Sequence, residues 1–194
     1  MSATPLQVRV PWFGPGALLT PANLLTLTRI AATPFFLWAL VAAPTGWPTW
    51  TAWFLLCVTD VFDGRLARRH GVTKSGAFLD PLADKVLVLG CFAALVSIHR
   101  VWIVPALVIA AREVAMSLYR SRVARRGISV PANKKAKAKT WAQCVGAGLT
   151  MFPPTAGHPL VYGAAVWLAV GFTVWTGLAY ALEGRRMLRR LRGA

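Results

Sequence analysis

Six long apolar runs constrain the fold of this chain more than any other feature. They cover roughly residues 24–43, 47–63, 76–98, 101–119, 140–152 and 160–182. A helix needs about 20 largely apolar residues to cross the hydrocarbon core of a bilayer. Lipid offers no partner to an open backbone, so helices are the form such runs take. Together they use most of the 194 residues, and no separate soluble domain fits. The chain is 56% hydrophobic, above the roughly 45–50% usual for a soluble domain. The expected fold is an all-α integral membrane protein with six transmembrane helices.

The net charge of +16, from 22 Lys and Arg against 6 Asp and Glu, would suit a nucleic-acid binder. Its placement does not. Arg65, Arg68, Arg69 and Lys74 fall between runs two and three, and eight Lys and Arg between Arg120 and Lys139 fall between runs four and five. Arg185, Arg186, Arg189, Arg190 and Arg192 form the tail, whereas the opposite connections carry only Arg100. Cationic loops stay cytoplasmic, so both termini are expected in the cytoplasm, beneath a cell membrane crossed an even number of times. No nucleic-acid partner is implied; anionic lipid headgroups are.

Three segments follow. Residues 1–22 hold Pro5, Pro11, Pro15 and Pro21 among Trp12, Phe13 and Leu18. Proline this dense prevents a long helix, and the aromatics suit an interfacial arm. Residues 23–184 form the six-helix domain and 185–194 a basic cytoplasmic tail. Cys57, Cys91 and Cys144 lie within apolar runs, an odd and buried set that argues against disulfides.

All four aspartates, Asp60, Asp63, Asp80 and Asp84, fall within 25 residues, at or inside the ends of apolar runs. A carboxylate in a span costs about 2.5–3.5 kcal/mol even on lenient scales, so the cluster calls for cations. Asp60 and Asp63 share one helix face, and Gly76, Asp80 and Asp84 share another. The short connection between these helices predicts that they lie antiparallel and adjacent, with the carboxylates converging at the cytoplasmic end. Hard oxygen donors suit Mg²⁺ or Mn²⁺, with a substrate phosphate completing the shell, and two such ions can polarise a phosphoryl group. Gly64, with Ala67 one turn on, leaves a smooth patch for a bulky group, and Arg68 beside it is placed for phosphate oxygens.

The pattern Asp60-x-x-Asp63-Gly64-x-x-Ala67-Arg68, then seven residues, then Gly76-x-x-x-Asp80-x-x-x-Asp84, resembles the signature of the CDP-alcohol phosphatidyltransferases. The spacer after Arg68 is slightly shorter than is common there. The resemblance implies that Asp60, Asp63, Asp80 and Asp84 hold two divalent ions and that Asp84 also removes a proton from the acceptor. It implies that Asp60, Gly64, Ala67 and Arg68 contact the CDP moiety, with Gly76, Asn23 and Thr26 completing the CDP-lipid site. The phosphatidyl group of CDP-diacylglycerol would pass to an alcohol, and CMP would leave. Homodimers are common in this family.

Asn23, Thr26 and Arg29, the stretch Asp80-Pro81-Leu82-Ala83-Asp84-Lys85, Ala111-Arg112-Glu113 and Lys137-Ala138-Lys139-Thr140 are similar to the phosphatidylglycerophosphate synthase branch. That points to glycerol 3-phosphate as acceptor, with Arg29, Arg112, Lys137 and Lys139 on its phosphate. Arg112 and Glu113 inside an apolar run also read as an interhelical salt bridge. Cardiolipin synthesis from phosphatidylglycerol is the nearest alternative, and transfer to inositol phosphate the next. A membrane prenyltransferase also pairs aspartate motifs with metal, but on longer chains. A cation transporter would keep its carboxylates near the midplane.

Overall fold

The computed structural model of the protein describes residues 20–70, 74–124 and 134–192, and every regular element in them is helical. In chain order these are α1 (Pro21–Ala42), α2 (Trp47–His70), α3 (Lys74–Ser97), α4 (Ile103–Ala124), α5 (Lys134–Met151), α6 (Pro153–Ala156) and α7 (Pro159–Arg192). Each of the six apolar runs lies on one long helix. At the basic side the helices extend beyond the runs, to His70, Ala124, Lys134 and Arg192, because backbone hydrogen bonding continues into polar sequence.

The N-terminal arm was expected to reach residue 22, but α1 already begins at Pro21. Thr20 is the reason: its side chain accepts from the Asn23 amide, and Pro21 then occupies a first-turn position that needs no amide hydrogen. The rest of the arm, residues 1–19, lies outside the described part. α3 ends where His99 adopts φ 60°, the left-handed turn that lets the Arg100 amide bond back to the Leu95 carbonyl. The expected outer loop after α5 contains one helical turn, α6.

The packing corrects one expectation. α2 and α3 were expected side by side. Among the described residues α1 packs along both of them, while direct contact between α2 and α3 is marginal. α5 packs along α7, and α4 also lies against α7. The reason is on α1: Asn23, Thr26, Arg29 and Thr33 recur every three or four residues and are all buried. One polar stripe turned inward places α1 between the two carboxylate-bearing helices.

The interior is divided along the bundle axis. Phe36, Leu40, Trp53, Leu87, Phe92, Leu95, Ile109, Met151 and Val166 build an apolar core towards the end where α1 finishes and α2 begins. Trp47, Trp50, Phe54 and Phe152 close that end with ring contacts. The three free cysteines belong to this core, as expected of small packing residues. The other half holds most of the buried polar groups, among them Asn23, Thr26, Arg29, Glu113, Lys139 and Gln143. Outside, the pattern is reversed. Phe35, Trp38, Trp102, Leu107, Leu160 and Leu168 are all more than half exposed. Water-soluble monomers rarely present so broad an apolar surface. Among the described residues, two stretches are long and apolar enough to cross a membrane on their own, Asn23–Ala42 and Pro159–Tyr180.

Candidate active site

α1 ties the carboxylates together. Thr26 donates its hydroxyl to Asp80 Oδ1 at 2.8 Å, and Arg29 Nη1 donates to Asp60 Oδ1 at 2.8 Å. The Arg29 side chain is 1% exposed, yet the Asp60 carboxylate keeps 40% of its area open, so a ligand can still reach it. Such a charge-assisted pair fixes the carboxylate direction while its outer edge stays available. Asp84, one turn beyond Asp80 on α3, is part-buried and feels the like charges of Asp60 and Glu113 and the opposite charges of Lys139 and Arg29. Pro81, between them, removes one backbone hydrogen bond from α3 beside the carboxylates.

Asn23 and Thr26, expected on the CDP-lipid, form the buried floor of this cluster. Arg29, expected on the acceptor phosphate, is turned onto Asp60. In a low-dielectric interior a buried guanidinium takes the nearest carboxylate. Asp63, Gly64, Ala67 and Arg68 continue along α2, and Gly76 lies in the first turn of α3, but their side chains lie outside the described residues. Among the described residues no three Asp, Glu, His or Cys side chains gather closely enough to hold a metal ion as a group. The donor set itself fits a hard divalent cation: Asp60, Asp80 and Asp84 offer only carboxylate oxygens, and of these only Asp60 has a cation paired to it among the described ion pairs.

A second polar layer lies deeper, between α4, α5 and α7. Glu113 Oε1 accepts from both Lys139 Nζ and Arg112 Nη1, the latter at 3.1 Å. Arg112 Nη2 reaches Thr176 Oγ1 at 3.4 Å, and Gln143 donates to Thr173 Oγ1 at 2.9 Å. The expected group of Arg112 and Lys139 is thus brought together by Glu113. Lys137 is on α5, with its side chain outside the described residues. Lys139 also feels the charge of Asp84 on α3. Thr173, Thr176 and Gly177 were not foreseen. A hydroxyl or glycine in an apolar run carries little signal, since both are frequent in membrane helices.

The sequence model of the CDP-alcohol phosphatidyltransferases matches residues 19–175. The chain is 36% identical over 180 residues to a probable phosphatidylglycerophosphate synthase of Mycobacterium tuberculosis, covering 88% of this chain and 84% of the relative. It is 37% identical over 171 residues to the CDP-diacylglycerol–glycerol-3-phosphate 3-phosphatidyltransferase of Shigella flexneri serotype 5b, covering 84% of this chain and 93% of the relative. The relative of the same name in Escherichia coli K12 is 36% identical over the same length. With the signature residues on α2 and α3, the match spanning six of the seven helices and reaching into the last, and relatives this similar over most of their length, the chain belongs to the CDP-alcohol phosphatidyltransferase family.

Proposed function

We propose that the protein is a membrane-embedded, divalent-metal-dependent transferase that moves the phosphatidyl group of CDP-diacylglycerol to glycerol 3-phosphate, forming phosphatidylglycerophosphate and releasing CMP. The observation that carries this reading is the polar half of the bundle, where Asp60 and Asp80 are bonded to α1 and two cations, Arg112 and Lys139, gather on the buried Glu113. The names of the relatives support the same donor and acceptor.

Asp60, Asp63, Asp80 and Asp84 would hold two Mg²⁺ or Mn²⁺ ions, which would supply polarisation of the diphosphate and neutralisation of the charge on the departing CMP. The chain's own residues do the rest. Gly64, Ala67 and Arg68 would contact the CDP moiety, with Gly76, Asn23 and Thr26 completing the CDP-lipid site. Arg29 holds Asp60 in direction. Arg112, Lys137 and Lys139 neutralise the phosphate of the acceptor. Asp84 takes the proton from the acceptor hydroxyl as its oxygen forms a bond to the lipid-side phosphorus. The bond from that phosphorus to the bridging oxygen breaks, and its electron pair leaves with CMP.

Six helices then cross the membrane, with the basic ends and the carboxylates at the cytoplasmic face. The apolar exterior and the one-sided placement of Lys and Arg support this arrangement. Pairing of two copies through that exterior completes the proposal.

Purified protein in detergent, given CDP-diacylglycerol and Mg²⁺ or Mn²⁺, is expected to release CMP only when glycerol 3-phosphate is added, and to stop with EDTA. Release driven by phosphatidylglycerol instead would move the enzyme to cardiolipin synthesis. No metal-dependent release with any acceptor would refute the reading. Arg112→Ala is expected to raise KM for glycerol 3-phosphate by about tenfold or more, the loss of a charged hydrogen bond; an unchanged KM would remove Arg112 from the acceptor pocket.

A further inference from the structure

We propose that Glu113 is a positioning residue, whose buried carboxylate holds Arg112 and Lys139 in register for the acceptor phosphate while Thr176 of α7 fixes Arg112 from the other side. This rests on the acceptor reading above.

Glu113 and Lys139 are each only 5% exposed. A carboxylate placed merely to satisfy one buried cation would face one. Here a single oxygen, Oε1, serves two. Adjacent residues on an α-helix point about 100° apart, so Arg112 reaches Glu113 only by folding back across its own helix. Thr176 Oγ1 takes Nη2 at 3.4 Å and holds the guanidinium there. Gly177 lies directly against the same side chain: a Cβ at that position would be in ordinary contact with it, 3.4 Å from Arg112 Cγ and 3.6 Å from Nε. Both α7 residues lie just beyond the segment that the family model matches.

The charge count points to a guest. Within the Glu113 cluster two cations share one carboxylate, with Asp84 the further anion that Lys139 feels, and Arg112 is the cation left short of negative charge in an interior where unpaired charge is expensive. Among the described residues Arg112 Nε is buried with no hydrogen-bond partner, a further donor for an incoming anion. A phosphate monoester supplies both the charge and the acceptor oxygens. A guanidinium grips phosphate through a planar fork, so its orientation governs the strength of that grip. Without Glu113 the two cations repel each other and lose the direction that the fork needs.

The test is steady-state kinetics of CMP release with metal and each substrate varied in turn. Glu113→Gln keeps the shape and removes the charge. It is expected to raise KM for glycerol 3-phosphate by about tenfold, as for a lost charged hydrogen bond, and to leave KM for CDP-diacylglycerol unchanged. Glu113→Asp should recover part of that loss. Thr176→Val, a near-isosteric change, is expected to raise the same KM by about threefold, as for a weaker neutral acceptor. If Glu113→Gln does not fold, Thr176→Val decides alone. The proposal is overturned if these variants leave KM for glycerol 3-phosphate unchanged, or raise both substrate KM values together as a general loss of structure would. Arg112→Ala separates the failures: if it alone raises the acceptor KM, the pocket stands and the positioning role falls; if it does not, the pocket itself falls.

Discussion

A carboxylate inside an apolar helix needs a compensating reason, and each described aspartate now shows part of one. Asp60 has Arg29, Asp80 has Thr26, and Asp84 lies among charges of both signs. Of these, Asp84 is the one assigned a proton. Asp84→Asn retains the volume and loses the base, so turnover is expected to fall by about 10²–10⁴-fold, while binding of CDP-diacylglycerol persists. CMP release measured beside equilibrium binding of the lipid checks both halves, and unaltered turnover would remove the base assignment. At this scale the aspartates were legible in the sequence because their cost in a membrane span is so high. The direction of Arg29 was not legible. Its spacing from Asn23 and Thr26 placed it on the right face of α1, but spacing does not reveal which buried carboxylate stands opposite. Thr176 and Gly177 were invisible for the opposite reason: nothing about them is costly in an apolar helix.

Helix positions were legible from the apolar runs, and helix neighbours were not. A short connection between α2 and α3 suggested direct contact, yet α1 lies along both because its polar stripe must be buried and their carboxylates can satisfy it. Neighbours are set by which faces fit, and small residues decide how closely two helices approach. Gly146 on α5 marks such a place. A Cβ there would meet the Ala165 carbonyl oxygen at 3.2 Å and Val166 Cα at 3.4 Å, both backbone atoms of α7 that give little. Gly146→Ala is therefore expected to destabilise the protein by about 1–3 kcal/mol through overpacking, seen as a lower Tm in detergent. Gly163 on α7 has nothing within 4 Å of an added Cβ. Gly163→Ala should leave Tm unchanged or raise it slightly, since alanine is the better helix former by about 0.5–1 kcal/mol. Equal behaviour of the two variants would mean that α5 and α7 do not approach as closely as the structure has them.

For the molecule as a whole, the distribution of charge makes the orientation a measurable quantity. Basic residues collect at the end of the bundle that carries the carboxylates, and the opposite end has only Arg100. That arginine is not a free charge. Its Nη2 donates to the Thr150 carbonyl at 2.8 Å and the Ala156 carbonyl at 3.2 Å, and its guanidinium lies over the Tyr162 ring at 5.1 Å. It joins the C-terminal end of α5 to α6, and one cation at that end leaves the excess of Lys and Arg on the other side. The proposed six crossings with the basic ends inside would place Ala194 in the cytoplasm and Gly157, in the turn before α7, outside. A fluorescent protein fused after Ala194 should fold and fluoresce, and alkaline phosphatase fused there should be inactive, because its disulfides need an oxidising compartment. Alkaline phosphatase fused to a chain cut after Gly157 should be active. Activity in the reverse pattern would place the carboxylates on the outer face, away from a cytoplasmic supply of glycerol 3-phosphate. Activity at both points would mean an odd number of crossings, so that one of the six long helices does not span the membrane.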